Sequence, residues 1–176
     1  DETLIKKYAE DYSDLNQDFV FIGPAHNFRS TEINAVLGLC QLNRLDDNNE
    51  KRIENFKYFV DNLDSKKYHT DFEMEGQCNY AFTIVLKNSD FNLRDKIEEE
   101  LTKNGIEYRR GMSGGGNQLR QPYFRDKNVD LSQFEVVDHI HNFRWYVGNY
   151  PTLEREKINK LLEILNDIQT SGPGYR

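Results

Sequence analysis

The chain has 176 residues, enough for one domain with a workable core or for a large part of a bigger protein. Its net charge of -7 argues against a general nucleic-acid binder, because binding phosphates needs a basic face. It has no apolar run long enough to span a bilayer, and its two cysteines, Cys40 and Cys78, lack the spacing of a metal site. We therefore expect a soluble cytoplasmic protein with no membrane, nucleic-acid or metal site.

The first 29 residues predict a short helix, a loop and then a polar corner. An apolar run over 19–22 ends in Gly23-Pro24, and Asn27 and Arg29 follow just before a helix that Ser30 would cap. The backbone N–H groups at a helix start favour anions, so this corner suits a phosphate. The same residues are also typical of turn chemistry and surface charge.

The next stretch predicts a long helical segment from Ser30 to Leu63. Apolar residues recur every three or four positions as far as Leu45, and Cys40 among them is expected to be a small core residue. A polar run over 46–49 interrupts the apolar face, which resumes at Ile53. The segment is therefore one long bent helix or a broken pair.

A strand, a helix and a second strand are predicted next. Residues 79–86 are rich in β-branched and aromatic side chains and predict a buried strand. Asn92 is expected to cap the following helix, and Gly105 lies where a left-handed C-cap belongs. Residues 106–110 alternate like a short strand, so the order indicates a βαβ-like unit in a small mixed sheet.

A glycine-rich stretch follows, with four glycines in residues 111–116. It lacks the lysine of a phosphate-binding loop and the spacing of a dinucleotide turn, and its composition alone is typical of a flexible linker. However, it follows Arg110 and leads to Asn117 and Arg120, whose donors suit sugar hydroxyls or a diphosphate.

The remaining sequence predicts a short helix, a strand and a final helix. Ser132 is expected to cap the first helix, with Phe134, Val137 and Ile140 facing inward. His139 and His141 on this helix do not share a face at a spacing of two, which argues against a metal pair. Residues 143–148 predict a strand, Thr152 is expected to cap the last helix, and residues 171–176 form a tail.

Three segments carry a resemblance to a known family. Residues 27–42 (NFRSTEINAVLGLCQL), 104–110 (NGIEYRR) and 141–153 (HNFRWYVGNYPTL) resemble, in order, the C-terminal half of the DegT/DnrJ/StrS family. Members are pyridoxal-phosphate (PLP) enzymes that act on nucleotide-linked keto-sugars. The stretch 113–123 (SGGGNQLRQPY) looks closer to the branch of nucleotide-sugar 3-dehydratases.

The resemblance implies the fold class and the domain organisation. We expect an α/β chain corresponding to the C-terminal small domain of the aspartate-aminotransferase type fold. Residues 1–29 would end the large PLP-binding domain or form a connector, 30–63 a long connecting helical segment, and 64–170 the small domain. The family's Schiff-base lysine segment lies upstream and is not in this sequence, so the chain is expected to be a fragment with no catalytic residue and no activity alone.

The resemblance also implies site residues and partners. Asn27 matches the family asparagine that reaches the PLP phosphate of the neighbouring subunit, and Arg29 lies near the same interface. The substrate candidates are Arg110, Ser113, Asn117, Arg120 and His139. The implied partners are a nucleotide-linked 4-keto-6-deoxyhexose, an amino donor such as glutamate, and a second copy in a homodimer with shared active sites. Transamination and 3-dehydration both remain open.

Two further interpretations remain open at the level of sequence. A non-catalytic module that binds a sugar nucleotide is compatible with the missing lysine, and the glycine-rich stretch would serve it equally well. A dimerisation domain would use the helical stretch over 30–63 as its contact surface.

Overall fold

The computed structural model describes residues 2–11, 29–111, 116–121, 124 and 129–169. The chain divides into two compact units, Asp1–Gln41 and Leu42–Arg176, which are described separately. No described helix combines the length and hydropathy needed to cross a bilayer.

The first unit contains helix α1, Glu2–Asp11, and most of helix α2, Glu32–Leu42. The predicted short N-terminal helix is thus confirmed. The cap of α2 differs from the prediction, since Thr31 rather than Ser30 accepts the backbone N–H of Asn34, at 3.4 Å, through its hydroxyl. Thr31 is the residue that immediately precedes the helix, where an accepting side chain reaches the first-turn N–H groups.

Helix α2 is apolar on nearly every side and its side chains are exposed. Ile33, Leu39 and Leu42 are each more than 60% exposed, and Cys40 is exposed as well. The prediction that Cys40 is a core residue is therefore wrong for this chain. The apolar spacing is helical as predicted, but the described residues of the first unit do not bury these side chains.

The second unit begins with helix α3, Leu45–Asn62, so the helical segment is a broken pair rather than one bent helix. Strand β1 is Ala81–Val85 and helix α4 is Phe91–Lys103. Helix α5 is Glu135–Phe143, strand β2 is Arg144–Gly148 and helix α6 is Arg155–Asp167. Short 3-10 turns lie at Gln118–Arg120 and Leu131–Phe134.

The described sheet is antiparallel, in contrast to the mixed sheet predicted from the sequence. β1 pairs with β2 so that Ile84 lies opposite Trp145, and Arg109 makes an isolated antiparallel bridge to Tyr146. Because β2 is antiparallel to both neighbours, β1 and the backbone at Arg109 are parallel to each other but are separated by β2. Helix α4 follows β1 as predicted, but the predicted strand over 106–110 is only the isolated bridge at Arg109, and β2 lies between β1 and that bridge.

The core lies between one face of this sheet and helices α3, α4 and α6. Aromatic and aliphatic side chains fill it, and the most deeply buried are Phe56, Phe59, Tyr68, Ile84, Ile97, Leu101, Trp145 and Leu165. The core therefore fixes the positions of β2 and of helix α5, which leads directly into β2.

Three predicted helix caps in the second unit are each wrong by two positions. Asp90, not Asn92, accepts the N–H of Leu93 at 2.9 Å, and Asp130 accepts from Ser132. α6 starts after Glu154 with no side-chain cap, because the predicted cap Thr152 lies in a turn closed by the N–H of Leu153. The predicted left-handed C-cap at Gly105 is confirmed, with a φ of +67°.

Helix α5 does not bury the face that its spacing predicted. Phe134 and Val137 are exposed, whereas His139 and Phe143 face the end of β1. Apolar spacing identified the helix correctly but not the neighbour against which it packs.

Candidate functional site

Helix α5 and the 3-10 turn Gln118–Arg120 bring four polar side chains together. Asp138 and His141 lie one turn apart on the same side of α5, as a spacing of three requires. Asn117 and Arg120 come from the turn that ends the glycine-rich stretch. We call these four residues the Asp138 cluster.

Asn117 is almost completely buried, with 1% of its surface exposed. Its Nδ2 donates to Oδ1 of Asp138 at 3.2 Å, and its Oδ1 accepts the N–H of Leu119 at 3.0 Å. A buried amide needs such partners, because leaving it unpaired costs about 1–3 kcal/mol. Asn117 therefore caps its own turn and attaches that turn to α5.

Arg120 forms a two-point ion pair with Asp138. Its Nε lies 2.5 Å from Oδ1 and its Nη2 lies 2.7 Å from Oδ2, the fork-to-fork geometry that arginine makes with carboxylates. This hydrogen bonding, and then that from Asn117, holds the pKa of Asp138 below its ordinary value, against the opposing effect of burial. The side chain of Arg120 remains 41% exposed, so its guanidinium is fixed in direction and still accessible.

His141 accepts a hydrogen bond from the chain backbone. The N–H of Asn117 lies 3.0 Å from its Nδ1, so Nδ1 carries no proton in this arrangement. Burial, and then the charge of Arg120, lowers the pKa of His141, while Asp138 acts in the opposite direction. Both effects that lower the pKa favour the neutral ring that this hydrogen bond requires.

Arg110 and His139, which the sequence also singled out, have other partners. Arg110 pairs with Glu98 through its Nε and Nη2, and Glu98 accepts in addition from the indole of Trp145. His139 contacts the carbonyl of Leu86 through Nε2 at 2.7 Å, and Ser89 through Nδ1 at 3.2 Å. Since a carbonyl only accepts, the proton of the His139 ring lies on Nε2.

The two cofactor candidates belong to the first unit. Arg29 is exposed and has a left-handed backbone, with φ of +47°, shortly before α2 begins. Asn27 lies outside the described residues, as does Ser113. The roles predicted for these residues from sequence stay predictions.

Sequence reasoning missed Asp138, Glu98 and Asn149. Asp138 and Glu98 are carboxylates on helices, where a charged residue is normally predicted to face solvent. Only their contacts with buried residues reveal that they have a structural role. Asn149 is 1% exposed and donates to the carbonyls of Arg52 and Asn79, both at 2.9 Å. An asparagine between a strand and a proline turn was the one local sign of this role.

Among the described residues, no three His, Cys, Asp or Glu side chains are placed to hold a metal ion. The described polar groups of the Asp138 cluster are hydrogen-bond donors and acceptors. The cluster is therefore suited to orienting a polar ligand.

Comparison with known proteins decides the family. The model of the DegT/DnrJ/EryC1/StrS aminotransferase family matches residues 5–166. The chain belongs to this family. Its residues 27–42, 104–110 and 141–153, which carry the resemblance, all fall inside the matched range.

One curated relative is the lipopolysaccharide biosynthesis protein RfbH of Salmonella typhimurium. It is 27% identical over 168 residues, which cover 90% of this chain and 38% of RfbH. The chain thus spans well under half the length of this relative.

Two solved structures share the fold of this chain. The GDP-4-keto-6-deoxy-D-mannose-3-dehydratase of E. coli with bound hydrated PLP has a TM-score of 0.65 and 23% identity, covering 85% of this chain and 39% of the enzyme. The PMP form of Spr1654 of Streptococcus pneumoniae, a sugar aminotransferase by its description, has a TM-score of 0.69 and 16% identity. The match covers 94% of this chain and 40% of Spr1654. The α/β fold of PLP-dependent aminotransferases predicted from the sequence is confirmed.

Proposed function

We propose that the chain is the C-terminal part of a PLP-dependent enzyme that acts on a nucleotide-linked 4-keto-6-deoxyhexose, by transamination or by 3-dehydration. The observation that carries the proposal is the family match over residues 5–166, together with similarity to proteins of both activities. Residues 64–170 would be the small domain, residues 30–63 the connecting segment and residues 1–29 the end of the large domain. The Schiff-base lysine would come from chain upstream of Asp1.

The residues before α2 fit the phosphate of PLP. Arg29 offers a cation beside the N-terminus of a helix, where first-turn N–H groups point toward an anion. The carboxylate of Glu32 in the first turn would repel an anion, so the attraction from Arg29 and the amide of Asn27 would have to exceed this repulsion. When bound, PLP supplies an electron sink for the chemistry at the sugar. The part of Arg29 and Asn27 is to bind and orient it.

The Asp138 cluster would bind the sugar portion of the substrate. Arg120 and Arg110 are each already paired with a carboxylate, which offsets much of their charge. They therefore suit neutral hydroxyl acceptors better than a diphosphate. Arg120 is the direct contact in this proposal and His139 is a further one, while the contact predicted for Ser113 from the sequence stays a prediction.

The direct contact that the sequence predicted for Asn117 stays a prediction, because its amide is buried and bonded inside the chain. Its contribution in the described structure is to hold the turn that presents Arg120. This role needs no contact with the sugar.

The exposed helix α2 supports a homodimer with shared active sites. A helix that is apolar on all sides is normally buried, and Ile33, Val36 and Leu39 are each more than half exposed. We propose that a second copy covers part of this surface in a cytoplasmic enzyme that uses glutamate or a similar amino donor.

Absorbance of the full-length protein tests the cofactor proposal. PLP bound to the enzyme absorbs in the near ultraviolet to blue, and we expect Asn27→Ala to lose PLP on dialysis at least tenfold faster than the wild type. Asn88→Ala, at an exposed position of the second unit, is the matched control and should retain PLP. A full-length protein that binds sugar nucleotide but no PLP would overturn the enzyme proposal in favour of a binding module.

Sedimentation of the full-length protein tests the dimer. Leu39→Glu places a charge on the apolar surface of α2 and is expected to yield monomers. Gln41→Glu adds the same charge on the same helix at a polar position and should leave the dimer intact. A dimer that survives Leu39→Glu as well as the wild type would exclude this surface.

A further inference from the structure

We infer that His141 is a positioning residue of the proposed substrate site, which holds Gly111 and Asn117 together only while its ring is neutral. The inference deepens the proposed function and rests on it for the claim that this region binds substrate. The contacts themselves are properties of the described residues.

Both ends of the segment 112–115 meet at this one side chain. At Gly111 the φ is +62°, and a Cβ placed there would lie 3.3 Å from Cε1 of His141 and 3.5 Å from its carbonyl oxygen. At the other end, the N–H of Asn117 donates to Nδ1 of the same ring at 3.0 Å. His141 thus contacts both Gly111 and Asn117 and restrains the distance between these two positions.

The attachment is shared with Asp138, one helical turn earlier. Asp138 accepts from the side-chain amide of Asn117 and binds Arg120 at two points. Asn117 is therefore tied to α5 through its backbone by His141 and through its side chain by Asp138. Loss of the hydrogen bond from the Asn117 N–H to His141 would loosen Gly111 and Asn117, while the ion pair between Arg120 and Asp138 would remain.

Protonation of His141 removes its hydrogen bond with the backbone N–H of Asn117. A ring that carries protons on both nitrogens presents an N–H to the N–H of Asn117, and two donors cannot bond to each other. The charged groups that act on the ring are Arg120 from the 3-10 turn, Arg110 after α4, and Asp138 on α5 itself. The two arginines oppose protonation and Asp138 favours it.

The sign of the pH effect follows from these groups. Burial and the arginines place the pKa of His141 below the ordinary value, which is about 6.5. At neutral pH the ring is therefore neutral and accepts the hydrogen bond from the Asn117 N–H. This hydrogen bond is lost as the pH falls through the lowered pKa of His141.

Amide hydrogen exchange of the full-length protein, followed by mass spectrometry, tests the inference without any substrate. His141→Phe keeps a flat ring but removes the acceptor, and we expect exchange in peptides covering 111–121 to rise about tenfold, the effect of one lost hydrogen bond. His141→Asn keeps an uncharged acceptor near the position of Nδ1 and should stay within about threefold of the wild type. His69→Phe, at a partly exposed histidine paired with Asp71, is the control and should change nothing there.

A pH series gives a second measurement that does not depend on how well His141→Phe folds. After correction for intrinsic exchange rates, the wild type is expected to lose protection at 111–121 only as the pH is lowered below about 6.5, the ordinary pKa of histidine, while His141→Asn loses none. Equal pH profiles for the two proteins would overturn the inference, as would unchanged exchange in His141→Phe.

Kinetics separates this inference from the proposed function. If both hold, His141→Phe raises the KM for the nucleotide sugar about tenfold and changes kcat less, and His141→Asn restores the KM. Altered exchange in a protein that turns over no keto-sugar would overturn the proposed function and leave His141 as a structural restraint. Turnover with an unchanged KM in a His141→Phe protein would overturn the positioning role alone.

Discussion

The indole Nε1 of Trp145 donates a hydrogen bond to Oε1 of Glu98 at 2.8 Å. Trp145 is fully buried in β2, and the same carboxylate binds Arg110. Glu98 on α4 therefore joins the core strand β2 to the arginine that precedes the glycine-rich stretch. This connection links the packing of the core to the position of the candidate site.

Replacing Glu98 by Ala should lower the free energy of unfolding by about 1–3 kcal/mol, because it leaves the buried Trp145 N–H without an acceptor. Glu98→Gln keeps one acceptor and should cost less. Glu99→Ala, at the exposed neighbouring position, is the control with an expected change within about 0.5 kcal/mol. Urea unfolding measures all three, and equal values for Glu98→Ala and Glu99→Ala would contradict the role of Glu98.

Asn149→Ala should be among the most destabilising polar substitutions in the second unit. Its Nδ2 donates to two backbone carbonyls, of Arg52 and Asn79, and its Oδ1 accepts from Asn55 at 3.3 Å. Unpaired buried groups at this junction are expected to cost about 2–4 kcal/mol in urea unfolding. Asn149→Asp would turn a carboxylate toward the two carbonyls and should cost at least as much; a loss below 1 kcal/mol in both variants would argue against this role.

Two substitutions at the start of α4 distinguish the observed helix cap from the predicted one. Asp90→Ala removes the acceptor of the Leu93 N–H and should cost about 1 kcal/mol. Asn92→Ala, at the predicted cap, should be neutral or slightly stabilising, since alanine is the better helix former. Thermal unfolding compares the two, and the reverse order would mean that α4 begins two residues later.

Lys67 stabilises the end of α6. Its Nζ, on a side chain only 9% exposed, donates to the carbonyls of Leu165 and Ile168 at 3.0 Å and to that of Asn166 at 2.5 Å. Removing this charge from the C-terminal end of the helix by Lys67→Met should cost about 1.5–3 kcal/mol.

The matched control for Lys67→Met is Lys66→Met, which removes the same charge at an exposed neighbouring position. It should leave the midpoint of urea unfolding nearly unchanged. A similar shift in both variants would mean that net charge, and not the cap of α6, is responsible.

The ion pair of Asp138 and Arg120 predicts a specific acid sensitivity. A carboxyl whose pKa is lower in the folded than in the unfolded protein stabilises the fold above its unfolded pKa, and that contribution is lost as the pH falls through the folded pKa. Asp138→Asn should therefore destabilise the protein at pH 7, and its difference from the wild type should shrink below about pH 4. Asp61→Asn, at an exposed position of α3, should show no such convergence in urea unfolding.

Local patterns were enough to predict most of the elements and the family, although the strand predicted over 106–110 is only an isolated bridge at Arg109. The β-branched run around Ile84, the helical spacing of Leu93, Ile97 and Leu101, and the left-handed position at Gly105 each depend on neighbours within a few residues, so the sequence alone reveals them. The family segments are likewise contiguous, which is why they could be recognised before the fold was known.

The sequence alone determined the type of most elements, the α/β class and the polar residues worth testing. Only the tertiary structure decided that β2 lies between β1 and Arg109, that α2 is exposed, and that Asp138 and His141 hold the end of the glycine-rich stretch. These features depend on contacts between residues that are distant in the chain. A hydrogen-bonding side chain has the same local pattern whether its partner is water, a ligand or a buried amide, so its role is set only when the fold brings that partner within about 3 Å.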